Sequence, residues 1–237
     1  LLNTSLAIEI LPLETLGGPA QTQNGSGNNG VNRMFLKFSG DALRARRLRL
    51  WILGTVLWVV AGPLSAQQAP FFFSAPEVAA RSAVLMNAMT GEILFAKEPN
   101  LRLPPASTTK VLTALVALDR LDPNARLPVS AQAASVAPSR IGLRAGEMVT
   151  MQDLMYGLLL KSGNDAAETL AEAAGGSVYQ FAGLMNAKAW QIGARNSHFT
   201  NPHGLPDDDH YSTAYDLALV FRWAMHYPLF SDIVRTR

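Results

Sequence analysis

Cysteine is absent from all 237 residues, which excludes disulfides, thiolate metal sites, a cysteine nucleophile and a lipidated N-terminal cysteine. Histidine is scarce. His198, His203, His210 and His226 form no H-E-x-x-H pair, and Asp207-Asp208-Asp209, in a loop bounded by proline and glycine, reads as a solvated turn rather than a metal site. Neither a G-x-S-x-G elbow nor a glycine-rich loop set between a strand and a helix, as a phosphate site requires, occurs, so a histidine-based serine hydrolase and a nucleotide enzyme have no support, and no cofactor or metal is called for. There is no internal repeat, and the apolar stretch from Trp51 to Ala61 falls well short of the roughly 20 residues that a membrane span needs. A basic surface is also missing from most of the chain. Six Lys/Arg stand against three Asp/Glu up to Ala66, but fourteen against fifteen from Gln67 onward, a net of −1. The overall charge of +2 therefore belongs to the N-terminal segment, and nucleic acid is excluded as a partner.

What is present is a hydrophobic share of 49%, ample for a buried core in one large domain or two small ones. The N-terminal segment has a character of its own. MFLKFSGDALRARRLRL is cationic, WILGTVLWVV is apolar, and a Gly-Pro break with small residues follows, the three parts of a secretory signal. Residues 34–66 are thus expected to be a signal peptide cut near Ala66, with a retained membrane anchor as the alternative. Leu64, three before the cut, is larger than such sites favour, and Arg46-Arg47 alone does not choose between the general and twin-arginine export routes. Leu1 to Arg33 has no initiating Met, and QTQNGSGNNG lacks any apolar periodicity. This stretch is expected to be a disordered leader or a non-native upstream extension, with Met34 as the start. An exported protein without disulfides fits the periplasm or envelope of a bacterium, leaving residues 67–237 as the working part.

In that part, SAVLMNA (Ser82–Ala88) and EILFA (Glu92–Ala96) are β-branched and apolar runs around Thr90-Gly91, a hairpin pattern. Behind Pro104-Pro105, Val111, Leu112, Leu115, Val116 and Leu118 recur at helical spacing from Ser107 to about Leu121. Thr150 with Asp153, Ser177 with Gln180 and Thr213 with Asp216 are capping boxes that open three more helices; Gly193 closes the second, and the third stops before Pro228. After two strands the chain is nearly all helix. A lone hairpin is marginal in water, so more sheet or a helix must cover it.

Two polar groupings carry candidate chemistry. Ser107 and Lys110 lie three apart at a helix start, so the amine can reach the hydroxyl. A serine becomes a nucleophile when a base takes its proton, and lysine can be that base if burial lowers its pKa from about 10.4. The alternative is an N-cap serine beside a solvated lysine. Ser162, Gly163 and Asn164 sit on a junction between two helices, where a tight turn can aim Ser162 and Asn164 into one cavity. Ser162 could relay a proton to a leaving nitrogen while Asn164 holds Lys110 and a substrate amide. The alternative here is an ordinary junction, with Asn164 or Asp165 capping the next helix.

Ser107-x-x-Lys110 about fifty residues before Ser162-Gly163-Asn164 resembles the serine D-alanyl-D-alanine carboxypeptidases, the low-molecular-mass penicillin-binding proteins. The likeness runs from about Pro76 to the end. It takes in MNAMTGEILFAKEPN, PPASTTK, RAGEMVTMQDLMYGLLLKSGNDAAETLAE and FTNPHGLPDDDHYSTAYDLA.

The resemblance implies an α+β fold of the β-lactamase/transpeptidase kind: an antiparallel sheet flanked by helices, with the motifs in a cleft beside an all-helical region. It implies that Ser107 attacks the penultimate D-Ala carbonyl of a peptidoglycan pentapeptide stem, with Lys110 as base. Ser162 and Asn164 would assist proton transfer and hold the acyl-donor amide, and Gly163 would lie at the substrate. β-Lactams would be covalent inhibitors. The family's third motif, Lys-Thr-Gly on a later sheet strand, does not follow NPHGL here, so the catalytic domain and its sheet are expected to be incomplete in this sequence. Peripheral membrane association would rest on a C-terminal helix that some members carry and that is likewise absent. A class A β-lactamase is disfavoured because no Glu-x-x-Leu-Asn stretch occurs. A D,D-endopeptidase of the same superfamily, and an inactive or wall-binding fragment, stay open.

Overall fold

A computed structural model of the chain describes residues 6–11 and 77–236. The expected signal peptide, and the leader apart from residues 6–11, lie outside the described residues.

The expected hairpin forms from β2 (Ser82–Asn87) and β3 (Ile93–Lys97), antiparallel, with Val84 opposite Ala96 and Leu85 opposite Phe95. Its turn is made by Asn87, whose side-chain oxygen accepts from the amides of Met89 and Thr90 at 2.9 and 3.1 Å, as an Asx turn requires. A third strand, β1 (Leu6–Leu11), joins β2 in parallel, so the sheet is mixed and six residues of the expected leader belong to it.

The first long helix, α1 (Thr109–Arg120), is buried on most of its surface, including Leu112, Ala114, Leu115 and Ala117 at no exposure at all. Polar residues on such a helix need partners, and the buried Lys110 is one of them. A small antiparallel sheet follows, β4 (Arg126–Pro128) with β5 (Met148–Thr150), and between its strands lies α2 (Ala131–Ser135). Then come α3 (Met151–Leu160), α4 (Asn164–Gly175), α5 (Val178–Ile192), α6 (Ala214–Ala224) and α7 (Pro228–Val234). The N-cap half of each expected capping box is made: the side chains of Thr150, Ser177 and Thr213 accept from the amides of Asp153, Gln180 and Asp216 at 3.1, 3.2 and 3.1 Å.

α3 to α6 pack around α1. Leu115, Met151, Leu154, Leu158, Leu170, Phe181, Met185 and Phe230 close one core, and each such side chain contributes about 1.5–3 kcal/mol by leaving water. A smaller cluster of Val84, Met86, Ala214 and Ala218 joins α6 to the hairpin. That contact gives the hairpin the cover it needs. Pro228 does not merely end a helix; it begins α7 from the first turn, where a missing amide costs nothing. Among the described residues no helix is long and apolar enough to cross a membrane.

Candidate active site

Three segments converge at the start of α1. The chain enters α1 through a 3-10 turn, Ala106–Thr108, that carries Ser107. The junction between α3 and α4 carries Ser162 and Gly163, and the loop from α5 to α6 passes beneath the turn. Gly204 in that loop has φ +83, and a Cβ there would collide with the Ala106 carbonyl. Only glycine lets the loop come so close. Ala106 and Ser162 themselves have positive φ, +48 and +55, a conformation that costs a non-glycine residue about 1–2 kcal/mol. Both strained residues sit at the cluster they serve to aim.

Ser107 caps nothing: the N-cap of α1 is Thr108, which has no side-chain capping bond. Instead, Ser107 Oγ accepts from Lys110 Nζ at 3.3 Å and from Ser162 Oγ at 2.9 Å. Lys110 is 3% exposed, so the reading as a capping serine beside a solvated lysine fails. Its second hydrogen bond runs to the main-chain carbonyl of His203 at 2.8 Å. Burial lowers the Lys110 ammonium from its ordinary 10.5 to about 8, since the charged form has lost water and gained only two neutral acceptors. A group so tuned spends an appreciable fraction of its time as a free amine near neutral pH. Ser107, Lys110 and Ser162 line a cavity of about 280 Å³ with Thr108, Val111, Leu158 and Leu159.

Asn164 is not the residue that holds Lys110. Its Nδ2 donates to the Ala137 carbonyl at 2.8 Å and its main-chain amide to Ser139 O at 2.7 Å, while the lysine is held by His203 O. Gly163 is the N-cap residue of α4. A Cβ there would meet Asp165 Oδ1 at 2.9 Å and Ile141 at 3.0 Å, which accounts for the glycine by close packing.

The loop under Lys110 is itself pinned by buried polar groups. His203 Nδ1 accepts from the Leu205 amide at 3.2 Å, so the proton of the neutral ring sits on Nε2, 3.5 Å from Glu168 Oε1. Glu168 Oε2 is buried without a partner. His210 Nδ1 accepts from the Thr200 amide at 3.1 Å, and its Nε2 lies 2.9 Å from the Thr109 hydroxyl, two residues from the serine. Burial pulls His210 down from 6.5 to about 4, with Asp207 opposing and the charges of His203 and His198 adding to the fall. His203 and His210 therefore act as pins, a role that no catalytic side-chain motif marks in the sequence.

Comparison with known proteins bears on the same residues. The sequence pattern of the D-alanyl-D-alanine carboxypeptidase family, peptidase S11, matches residues 69–237. D-alanyl-D-alanine carboxypeptidase DacF of Bacillus subtilis is 37% identical over 187 residues, covering 77% of this chain and 48% of that protein. D-alanyl-D-alanine carboxypeptidase DacB2 of Mycobacterium tuberculosis is 42% identical over 160 residues, covering 67% and 55%. The chain thus spans about half the length of each of these relatives. Among solved structures, a DD-transpeptidase of Streptomyces K15 superposes with a TM-score of 0.67 at 34% identity, covering 69% of this chain and 67% of that one. The α+β fold expected from the motifs is the fold of these enzymes. With matched residues reaching from 69 to 237 and the serine–lysine–serine cluster inside them, the chain belongs to the D-alanyl-D-alanine carboxypeptidase family of serine peptidases.

Proposed function

We propose that the protein to which this chain belongs is an exported serine D,D-carboxypeptidase that removes the terminal D-Ala from peptidoglycan pentapeptides. The observation that carries this reading is the meeting of Ser107 Oγ with both Lys110 Nζ and Ser162 Oγ, in a cavity whose burial brings the lysine within reach of its neutral form. Neutral Lys110 takes the Ser107 proton as Oγ attacks the penultimate D-Ala carbonyl carbon. The tetrahedral intermediate then expels the terminal D-Ala, whose nitrogen receives a proton through Ser162. Water hydrolyses the resulting ester with the lysine as base again, restoring Ser107. His203 O keeps Nζ aimed throughout, and Asn164 meets the amide of the acyl donor.

A β-lactam presents a strained amide in place of the D-Ala-D-Ala bond, so the ring opens onto Ser107 and the ester persists. Incubating the full-length protein with benzylpenicillin, followed by intact mass and peptide mapping, is expected to show one adduct, on Ser107. An adduct elsewhere with Ser107 unmodified overturns the assignment. Release of D-Ala from a pentapeptide distinguishes the carboxypeptidase from an endopeptidase, which would cut cross-linked dimers and leave the pentapeptide whole.

A further inference from the structure

Residues 136–147, between α2 and β5, contain no helix or strand, and Ala137 to Arg140 are exposed. Yet this segment is held against the start of α4 at several points. Asp165, the second residue of α4, is wholly buried. Its Oδ1 accepts from the amides of Ile141 and Ala166, each at 3.0 Å, and its Oδ2 from those of Gly142 at 2.9 Å and Leu143 at 3.1 Å. Both oxygens are thus filled by main-chain donors, three of which belong to the exposed segment. Asn164, one residue earlier, supplies the complement: its amide and its Nδ2 donate to Ser139 O and Ala137 O. Two consecutive residues therefore grip one segment, the first through its carbonyls and the second through its amides.

We propose that Asp165 is a positioning residue: by clamping residues 141–143 it fixes the segment as a wall beside Asn164, and so sets how the Asn164 amide meets the substrate. The proposal rests on the active-site reading above. With Nδ2 committed to Ala137 O, the Asn164 amide can turn only by breaking that bond, and the bond lasts only while the segment stays in place. A carboxylate suits the clamp because it is acceptor-only at both oxygens. An asparagine of the same shape would turn an NH₂ group toward main-chain N–H donors on one side.

Asp165→Asn in the full-length protein separates this role from a general one. Arg140 and Arg144 flank the clamped residues and are exposed, so trypsin reports on the segment directly. Cleavage at these two bonds is expected to quicken at least tenfold, while the main thermal transition is retained. Acylation by a fluorescent penicillin, which must be oriented by the wall and Asn164, is expected to slow at least tenfold. Sulfonylation of Ser107 by phenylmethylsulfonyl fluoride, which needs only the activated hydroxyl, should stay within about twofold of wild type. Wild-type cleavage, wild-type acylation, or an equal loss with both reagents overturns the proposal. Should Asp165→Asn fail to fold, Gly142→Ala strains the clamp from the segment side. Gly142 has φ +89 and open space around it, so a methyl group there disturbs only the backbone. The same pattern is expected, and wild-type behaviour overturns the proposal. If wild-type protein takes no penicillin on Ser107, the active-site reading falls, and the trypsin comparison still decides whether Asp165 holds the segment.

Discussion

Lys110 is asked to be a cation that holds a carbonyl and an amine that accepts a proton, and its surroundings permit both. Burial favours the neutral form, and with a pKa near 8 the balance is reached close to working pH. Acylation of Ser107 should therefore rise with pH through about 8 and level off above it, because the neutral amine is the base. Stopped-flow acylation by penicillin between pH 6 and 10 measures this; a rate independent of pH would remove Lys110 from the role. Lys110→Ala should lose acylation by several orders of magnitude while the fold survives, since general-base catalysis alone contributes about 10²- to 10⁴-fold. The serine and the lysine are legible in the sequence as a pair that can touch, and the second grouping around Ser162 is what turns that spacing into chemistry. His203 is not legible, because the group that holds Lys110 is a main-chain carbonyl 93 residues away, and every residue carries one. Asp165 was read as a helix-start residue for a similar reason: in sequence, a carboxylate that caps a helix and one that reaches across to another segment look the same.

The helices that a sequence announces most clearly are those whose ends are marked by side chains. Thr150, Ser177 and Thr213 make the predicted contacts, so α3, α5 and α6 start where expected. β4 and β5 were missed because three residues are too few to show alternation. α7 is not visible in the sequence because Pro228 reads as a stop, whereas a proline serves equally to start a helix. β1 lies in a stretch whose composition spoke for disorder, and its pairing depends on a strand more than seventy residues away. Thr213→Ala removes the cap of the helix that covers the hairpin and should cost about 0.5–2 kcal/mol, read from urea denaturation. Phe181→Ala empties a wholly buried position where α5 meets the main core and should cost about 3–5 kcal/mol. The two costs should add, because the changes remove unrelated contacts, a capping hydrogen bond at α6 and core packing on α5.

For the whole molecule, stability becomes dependent on acid through His210. Its folded pKa, about 4, lies below the ordinary 6.5, so between these values the unfolded chain binds more protons than the folded one. Stability contributed by the neutral ring is thus complete above about 6.5 and declines as pH falls toward 4. Thermal melts across that window should show the loss, and His210→Gln, which cannot titrate there, should flatten it. Carboxylates titrating nearby add slope at the acid end, so the difference between the two proteins is the quantity to read. The main-chain anchor under Lys110 also has a hereditary consequence. A contact made by a carbonyl is blind to the codon at that position, so selection at 203 acts on the presence of a side chain, the ring that pins the loop beside Glu168 and the Leu205 amide. At the neighbouring codon the reverse holds, because any side chain on residue 204 would strike the backbone beneath the nucleophile. Adjacent triplets of the gene should therefore both be held, one by a side chain that must be there and one by a side chain that must not.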